Sequence, residues 1–228
     1  AKDGEKTVGV SFGFVGRRNG KTYLYSHMTG VIPNYRNNEV GYKLKIKQRE
    51  WALGHGFDMI SWTFDPLQGL NSNFNLRKLG AIARVYERNH YGDMRDSINA
   101  GLPSDRVIAE WFIKSRHVID RLENRFNTYG ELPKATSTEV KDGEVFIVDV
   151  DLSLMNEQIM VEIPLDLGKL KEKNIEEAIR WREMTAKVYE HYFSRGYALI
   201  DFVRINGRNF QVLSRNLPDD IDRKSIFA

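Results

Sequence analysis

The stretch from Tyr23 to Pro66 constrains this chain more than any other. Tyr23 to Ile32 is rich in aromatic and apolar residues and predicts a strand. Pro33 ends it, because proline has no N–H to donate to a ladder. A polar loop follows, and then Val40, Leu44 and Trp51 recur at helical spacing, predicting a helix from about Asn38 to Leu53. Asn37 or Asn38 can cap that helix, and Gly54-His55-Gly56 stops it. Phe57 to Phe64 predicts a second strand, stopped by Asp65-Pro66. Strand, loop, helix, strand is a βαβ unit, and the free N–H groups opening its helix attract anions.

The rest of the chain supplies partners for that unit. Val8 to Val15 predicts a strand, and Asn19-Gly20 is a type I′ hairpin signal that pairs it antiparallel with Tyr23–Ile32. Phe74, Leu76 and Leu79 suggest a short helix ending at Gly80, and residues 81–86 a strand. Residues 107–113 lean to strand, and 116–126 are helical in pattern. Gly130, Pro133, Thr136-Ser-Thr138 and Asp142-Gly143 mark 128–143 as a linker. Beyond it come strands at 145–150 and 159–163, one long helical pattern from Leu167 to Phe193, and two strands joined by an Asn206-Gly207 turn. Pro218 to Arg223 reads as a mobile tail. No internal sequence repeat is visible.

With 228 residues, 41% of them hydrophobic and 29% charged, the chain is globular rather than disordered. It has no cysteine, which excludes disulfides, thiolate metal sites and a cysteine nucleophile. No apolar run approaches the roughly 20 residues that cross a bilayer, so no membrane partner is expected. The chain is expected in the cytoplasm. A net charge of +3 suits an anionic small ligand and does not argue for a nucleic acid. Lys43, Lys45 and Lys47 spread around their helix instead of forming one stripe, which also counts against a nucleic-acid partner.

The opening stretch resembles the GNAT acyltransferase superfamily. Its main motif is a strand, then Val-x-Pro-x-x-Arg/Gln-x-x-Gly-x-Gly/Ala opening a helix. Val31, Pro33, Arg36 and Gly41 match that motif in register. A second motif resembles Asp58–Phe64 followed by Asn73 to Ala81. The resemblance covers roughly Thr7 to Tyr86. It implies an α/β fold with a GNAT-like mixed, partly antiparallel sheet flanked by helices, over residues 1–127, with a linker at 128–143 and an α+β extension over 144–228. It also implies that the first GNAT strand and two helices precede Val8. The extension completes the core, covers the acceptor site or makes a homodimer; the residues leave these open.

The activity so implied is transfer of an acyl group from acetyl-CoA or another acyl-CoA to a small amine, such as an amino acid, by direct attack. The cofactor-binding residues it assigns are Val31, Arg36, Asn37, Asn38, Glu39, Val40, Gly41 and Tyr42, with Asn73 on the cofactor arm. Proton transfer needs a base and an acid. His27, Asp65, His90 and Asp93 are the candidate bases, and Tyr86 and Tyr91 the candidate acids, so His27, Asp65 and Tyr91 form the expected catalytic set. No metal is expected. Two residues depart from the motif. Glu39 replaces its first glycine, putting a carboxylate and a Cβ beside the pyrophosphate. Leu76 stands where many members place a tyrosine that protonates the leaving thiolate. Both departures fit a rival reading, a GNAT-shaped binding or structural protein without catalysis. A Rossmann dehydrogenase is disfavoured, because no Gly-x-Gly-x-x-Gly follows a strand.

Overall fold

Local turn chemistry sets the first half of the fold. In this computed structural model, which describes residues 1–36, 38–92, 101–141 and 143–228, β1 (Lys2–Asp3) and β2 (Lys6–Thr7) form a small antiparallel ladder. β3 (Gly9–Arg18) and β4 (Lys21–Val31) form a long hairpin. Its turn residues Asn19 and Gly20 have φ of 48° and 78°, as a type I′ turn requires. A bulge interrupts β4 opposite Phe12–Phe14, where Ser26 and His27 face the single residue Gly13 of β3. A Cβ on Gly13 there would meet the Tyr25 carbonyl oxygen at 2.7 Å, so only glycine fits. Helix α1 (Val40–Gly54) crosses over to β5 (Met59–Phe64), which runs parallel to β4.

After β5, the short helix α2 (Gly69–Ser72) continues into a π-helical turn over Asn73–Lys78. β6 (Ile82–Glu87), β7 (Arg106–Phe112) and α3 (Arg116–Leu122) follow. The remaining elements are the hairpin of β8 (Thr136–Lys141) and β9 (Glu144–Val150), then β10 (Gln158–Ile163), α4 (Leu167–Lys173), α5 (Ile175–Ser194), β11 (Ala198–Ile205) and β12 (Arg208–Ser214). The architecture is α/β: one eight-stranded mixed sheet, ordered β10-β12-β11-β6-β7-β5-β4-β3, flanked by helices. Among the described residues, no helix is long and apolar enough to cross a membrane.

The strand order contains a repeat that the residues conceal. β5, β6 and β7 lie in the order 5-7-6, with a helical crossover between β5 and β6. β10, β11 and β12 lie in the order 10-12-11, with α4 and α5 as the crossover. The two units meet at an antiparallel seam of β6 with β11, where the ladder has a single pair, Leu199 with Ala83. Topologically they are related by a twofold axis through that seam. The extension at 144–228 therefore continues the same sheet. α5 packs against β6, and the π-helical turn packs against β11, so each unit's crossover reaches over the other.

Two buried carboxylates hold these crossings. Asp65, just past β5, accepts from Arg182 of α5 in a bidentate pair at 2.7 and 2.6 Å. Asp201, at the β11 bulge, accepts from Arg77 of the π-helical turn at 3.0 Å and from Arg121 of α3 at 2.7 Å. Tyr129 donates to the same carboxylate at 2.8 Å. The main core, including Trp111, Trp181, Tyr189 and Tyr192, fills the helical side of the sheet.

Several expectations change. The helix from Leu167 to Phe193 is two helices. Asn174 breaks it with extended backbone and caps α5, its side chain accepting from the Glu177 N–H at 3.0 Å. The span read as linker contains β8, which pairs with β9. Ser104 caps no helix; it bonds Asn89 and the Tyr91 N–H just before β7. The tail is docked: Leu217, Ile221, Ile226 and Phe227 are buried on the sheet's second face.

Two predictions follow from these buried charges. Arg182→Met leaves Asp65 buried without its partner and is expected to lose about 3–5 kcal/mol of stability in urea unfolding. Adding Asp65→Leu removes the orphaned charge and restores most of that loss. Burial, and then the Arg121 cation, push the His117 imidazole down to about 4 from 6.5. The unfolded chain then binds more protons between those values. Stability is complete above pH 6.5 and falls as pH drops toward 4, by on the order of 3 kcal/mol. His117→Gln should flatten that part of a pH series of urea titrations.

Candidate active site between β4 and β5

The loop after β4 is tied down by short-range bonds. Pro33–Tyr35 forms one 3-10 turn, and the Ile32 N–H donates to the Val8 carbonyl at 3.1 Å. Tyr35 Oη donates to Asp3 at 2.6 Å, and Arg36 Nε donates to the Val31 carbonyl at 3.2 Å. The Arg36 side chain is thus folded back on the end of β4, exposed to solvent.

The start of α1 differs from the expected cap. The N-cap is Glu39, with left-handed backbone (φ 59°, ψ 6°), and no side chain caps the helix. Asn38 lies outside the helix, exposed, and Asn37 lies outside the described residues. The first helical bond runs from the Lys43 N–H to the Glu39 carbonyl at 2.9 Å. The amides of Val40, Gly41 and Tyr42 have no acceptor among the described residues. A Cβ on Gly41 would meet only Val31 Cγ2, at 3.9 Å, so there is open space beside Gly41 next to the end of β4. Glu39 brings an exposed carboxylate to this rim.

β4 and β5 are hydrogen-bonded for only two register pairs, Leu24 with Ile60 and Tyr25 with Ser61. From Ser26 to Val31, β4 has no ladder partner on its β5 side. At the vertex where the ladder stops sits Lys45, the second-turn lysine of α1, only 4% exposed. Its Nζ lies 2.7 Å from Ser26 Oγ, 3.2 Å from Gln48 Oε1 and 3.8 Å from the centroid of the Trp62 ring. Gln48 is held by Ser11 at 3.3 Å, and Trp62 Nε1 donates to buried Asn75 of the π-helical turn at 3.1 Å. Burial pushes the Lys45 amine down to about 7 from 10.5. Among the described residues, no carboxylate lies in ion-pair range of it.

The opposite face of the same gap is aromatic and wetter. Thr63 alternates with Trp62 on β5 and so points away from Lys45. Tyr25 and Tyr91 converge on it, with Tyr91 Oη 3.1 Å from Thr63 Oγ1. Burial and then the neighbouring Tyr91 raise the Tyr25 phenol above its ordinary value. His27 is exposed on β4 between Phe12 and Phe14, with ring centroids 6.2 and 5.5 Å away. His27 and Tyr91 therefore both border Tyr25, on one side of the gap.

The structure separates other expected residues from this place. Asp65 is buried in the bidentate Arg182 pair and also accepts the Leu67 N–H at 2.9 Å, which ties it to α5 and its own turn and away from the gap. Asn73 lines a different cavity, of about 590 Å³, with Arg77, Tyr129 and β11. His90 is paired with Glu87 in the β6–β7 connection, Tyr86 is bonded to Asp105, and Asp93 lies outside the described residues. Leu76 is core. Among the described residues, no group of three or more His, Asp or Glu is placed to hold a metal. Lys45, Ser26 and Asn75 were missed. Apolar spacing placed Leu44 and Trp51 inside, yet Trp51 is 48% exposed, and the buried positions are Lys45 and Ala52, one residue further on.

Burying an amine without a counter-charge weakens the fold. The unfolded lysine holds its proton up to about pH 10.5, whereas the folded one releases it near 7. Lys45→Met should therefore stabilise the protein by up to about 5 kcal/mol at and below pH 7, and the difference should fade as pH rises toward 10. Urea titrations at pH 6 and pH 9 measure both terms. Comparison of the chain with models of known protein families finds no match, and comparison with curated proteins finds none either.

Proposed function

We propose that the protein is an acyl-CoA-dependent N-acyltransferase of GNAT type, acting on a small amine by direct attack. The observation that carries this reading is the unpaired edge of β4, from Ser26 to Val31, lying below the uncapped start of α1. Coenzyme A would supply the acyl group as a thioester. The amides of Val40, Gly41 and Tyr42, aided by the helix dipole, would hold its phosphates, and Arg36 stands at the same rim. A backbone N–H of β4 toward Ser26 and His27, at the far end of the stretch that has no ladder on the β5 side, would polarise the thioester carbonyl, and Val31 would border the phosphates. The strand order β3-β4-β5-β7-β6 and the parallel β4-α1-β5 crossover support the family reading.

The gap has two faces, which suits a reaction between two substrates. An amine on the aromatic face would lie beside His27, Tyr25 and Tyr91, within a group able to take and return a proton. Positioning across the gap, without a covalent enzyme intermediate, can supply several kcal/mol of barrier reduction. A second reading, a binding protein of the same shape without catalysis, is favoured by Glu39, whose carboxylate stands next to the proposed phosphate amides.

Calorimetric titration with coenzyme A and acetyl-CoA separates these readings from each other and from neither. Micromolar binding of a coenzyme A thioester, with transfer of its acyl group to an amine in a parallel assay, is expected; binding without transfer from any thioester to any amine favours the second reading, and no binding ends both. Gly41→Trp should abolish binding while the melting temperature stays near wild type. Glu39→Gly should tighten binding severalfold by removing the charge, and raise stability by about 1 kcal/mol by relieving the left-handed backbone.

A further inference from the structure

We infer that the acyl donor carries a carboxylate on its acyl group, a dicarboxylic acyl thioester of the succinyl kind, and that Lys45 Nζ with Ser26 Oγ receives that carboxylate at the vertex of the β4–β5 gap. This rests on the acyl-CoA reading and names its substrate class. The free amides of α1 mark the phosphate end of the gap. From Val31 down to Ser26 an extended strand spans about 17 Å. A donor anchored by its phosphates and laid along that edge has its acyl group at the far end, against Lys45.

The vertex is built for an anion. Lys45 is buried and faces no carboxylate among the described residues, and the hydroxyl beside it can donate a second hydrogen bond. The amine is fixed from both sides. Gln48 holds it from α1 and is itself held by Ser11, which bonds Thr29 on β4 at 3.1 Å. Asn75 orients the Trp62 ring beneath it. An acetyl group would press a methyl against this polar cluster and leave the amine without a charge partner. A terminal carboxylate compensates it where solvent does not screen the pair. Sites that bury polar groups for a ligand discriminate strongly against analogues lacking the matching group.

The test is titration of the protein at pH 6, where the Lys45 amine keeps its proton, with coenzyme A, acetyl-CoA and succinyl-CoA, repeated on Lys45→Met and Ser26→Ala, with thermal melting to verify folding. Succinyl-CoA is expected to bind at least tenfold more tightly than acetyl-CoA. Lys45→Met should erase that preference, and Ser26→Ala should reduce it severalfold. Equal affinity of the wild type for the two thioesters overturns the inference and leaves the acyl-CoA reading standing. A preference that persists in a folded Lys45→Met also overturns it, by placing the carboxylate elsewhere. Failure of all three compounds to bind overturns the inference together with the reading beneath it.

Discussion

The reciprocal pairing of Asp65 with Arg182 and of Asp201 with Arg77 and Arg121 is what the sheet depends on. The seam between β6 and β11 contributes one ladder pair, too little to join two units by backbone bonding. Joining falls to the crossovers. α5 lies over the first unit and places Arg182 on a carboxylate at the end of β5. The π-helical turn lies over the second and places Arg77 on a carboxylate at the β11 bulge. Apolar packing on the helical face supplies the larger share of the free energy, but it is non-directional. The ion pairs are directional, and a one-residue slip of α5 would leave Arg182 and Asp65 both unpaired in a buried place.

Much of this was legible in the residues, and the failures have physical causes. Both hairpin turns were readable because Asn-Gly pairs take positive φ at little strain, and both form. The βαβ unit was readable because its strands are apolar runs stopped by prolines. The twofold relation of the two units was not, because it lies in strand order and not in residue identity: an α-helix of 20 residues in one crossover stands opposite a short helix and π-turn in the other. Asp65 looked accessible because it ends a strand in an Asp-Pro turn; its partner is 117 residues away. The docked tail was hidden by its acidic residues, since Ile221, Ile226 and Phe227 are too scattered to show a period.

Lys45 is the least legible residue and the most informative. Hydrophobic spacing assigns lysine to solvent by default, and α1 has neighbouring apolar positions that look equally suited to face the sheet. The chain instead buries the amine and leaves Trp51 outside, stacked on His55 at 3.9 Å. A destabilising arrangement that persists beside an open gap is often kept for function. The same logic applies to Glu39, a bulky residue held in left-handed backbone at the rim of the same gap.

The docked tail has a consequence for the order in which the molecule matures. Asn19 and Arg18, at the turn of the β3–β4 hairpin, donate to the carbonyls of Ile226 and Phe227, across 207 and 209 residues. Phe227 packs its ring edge-on against Tyr23 at 5.1 Å. The hairpin's turn and its ladder to β5 lie within residues 9–64, so they can form from a short stretch of chain before the tail is made. Its far-side clasp arrives more than two hundred residues later. The hairpin that carries the edge of the gap is thus built from local chain but fastened at its turn by residues more than two hundred positions further on.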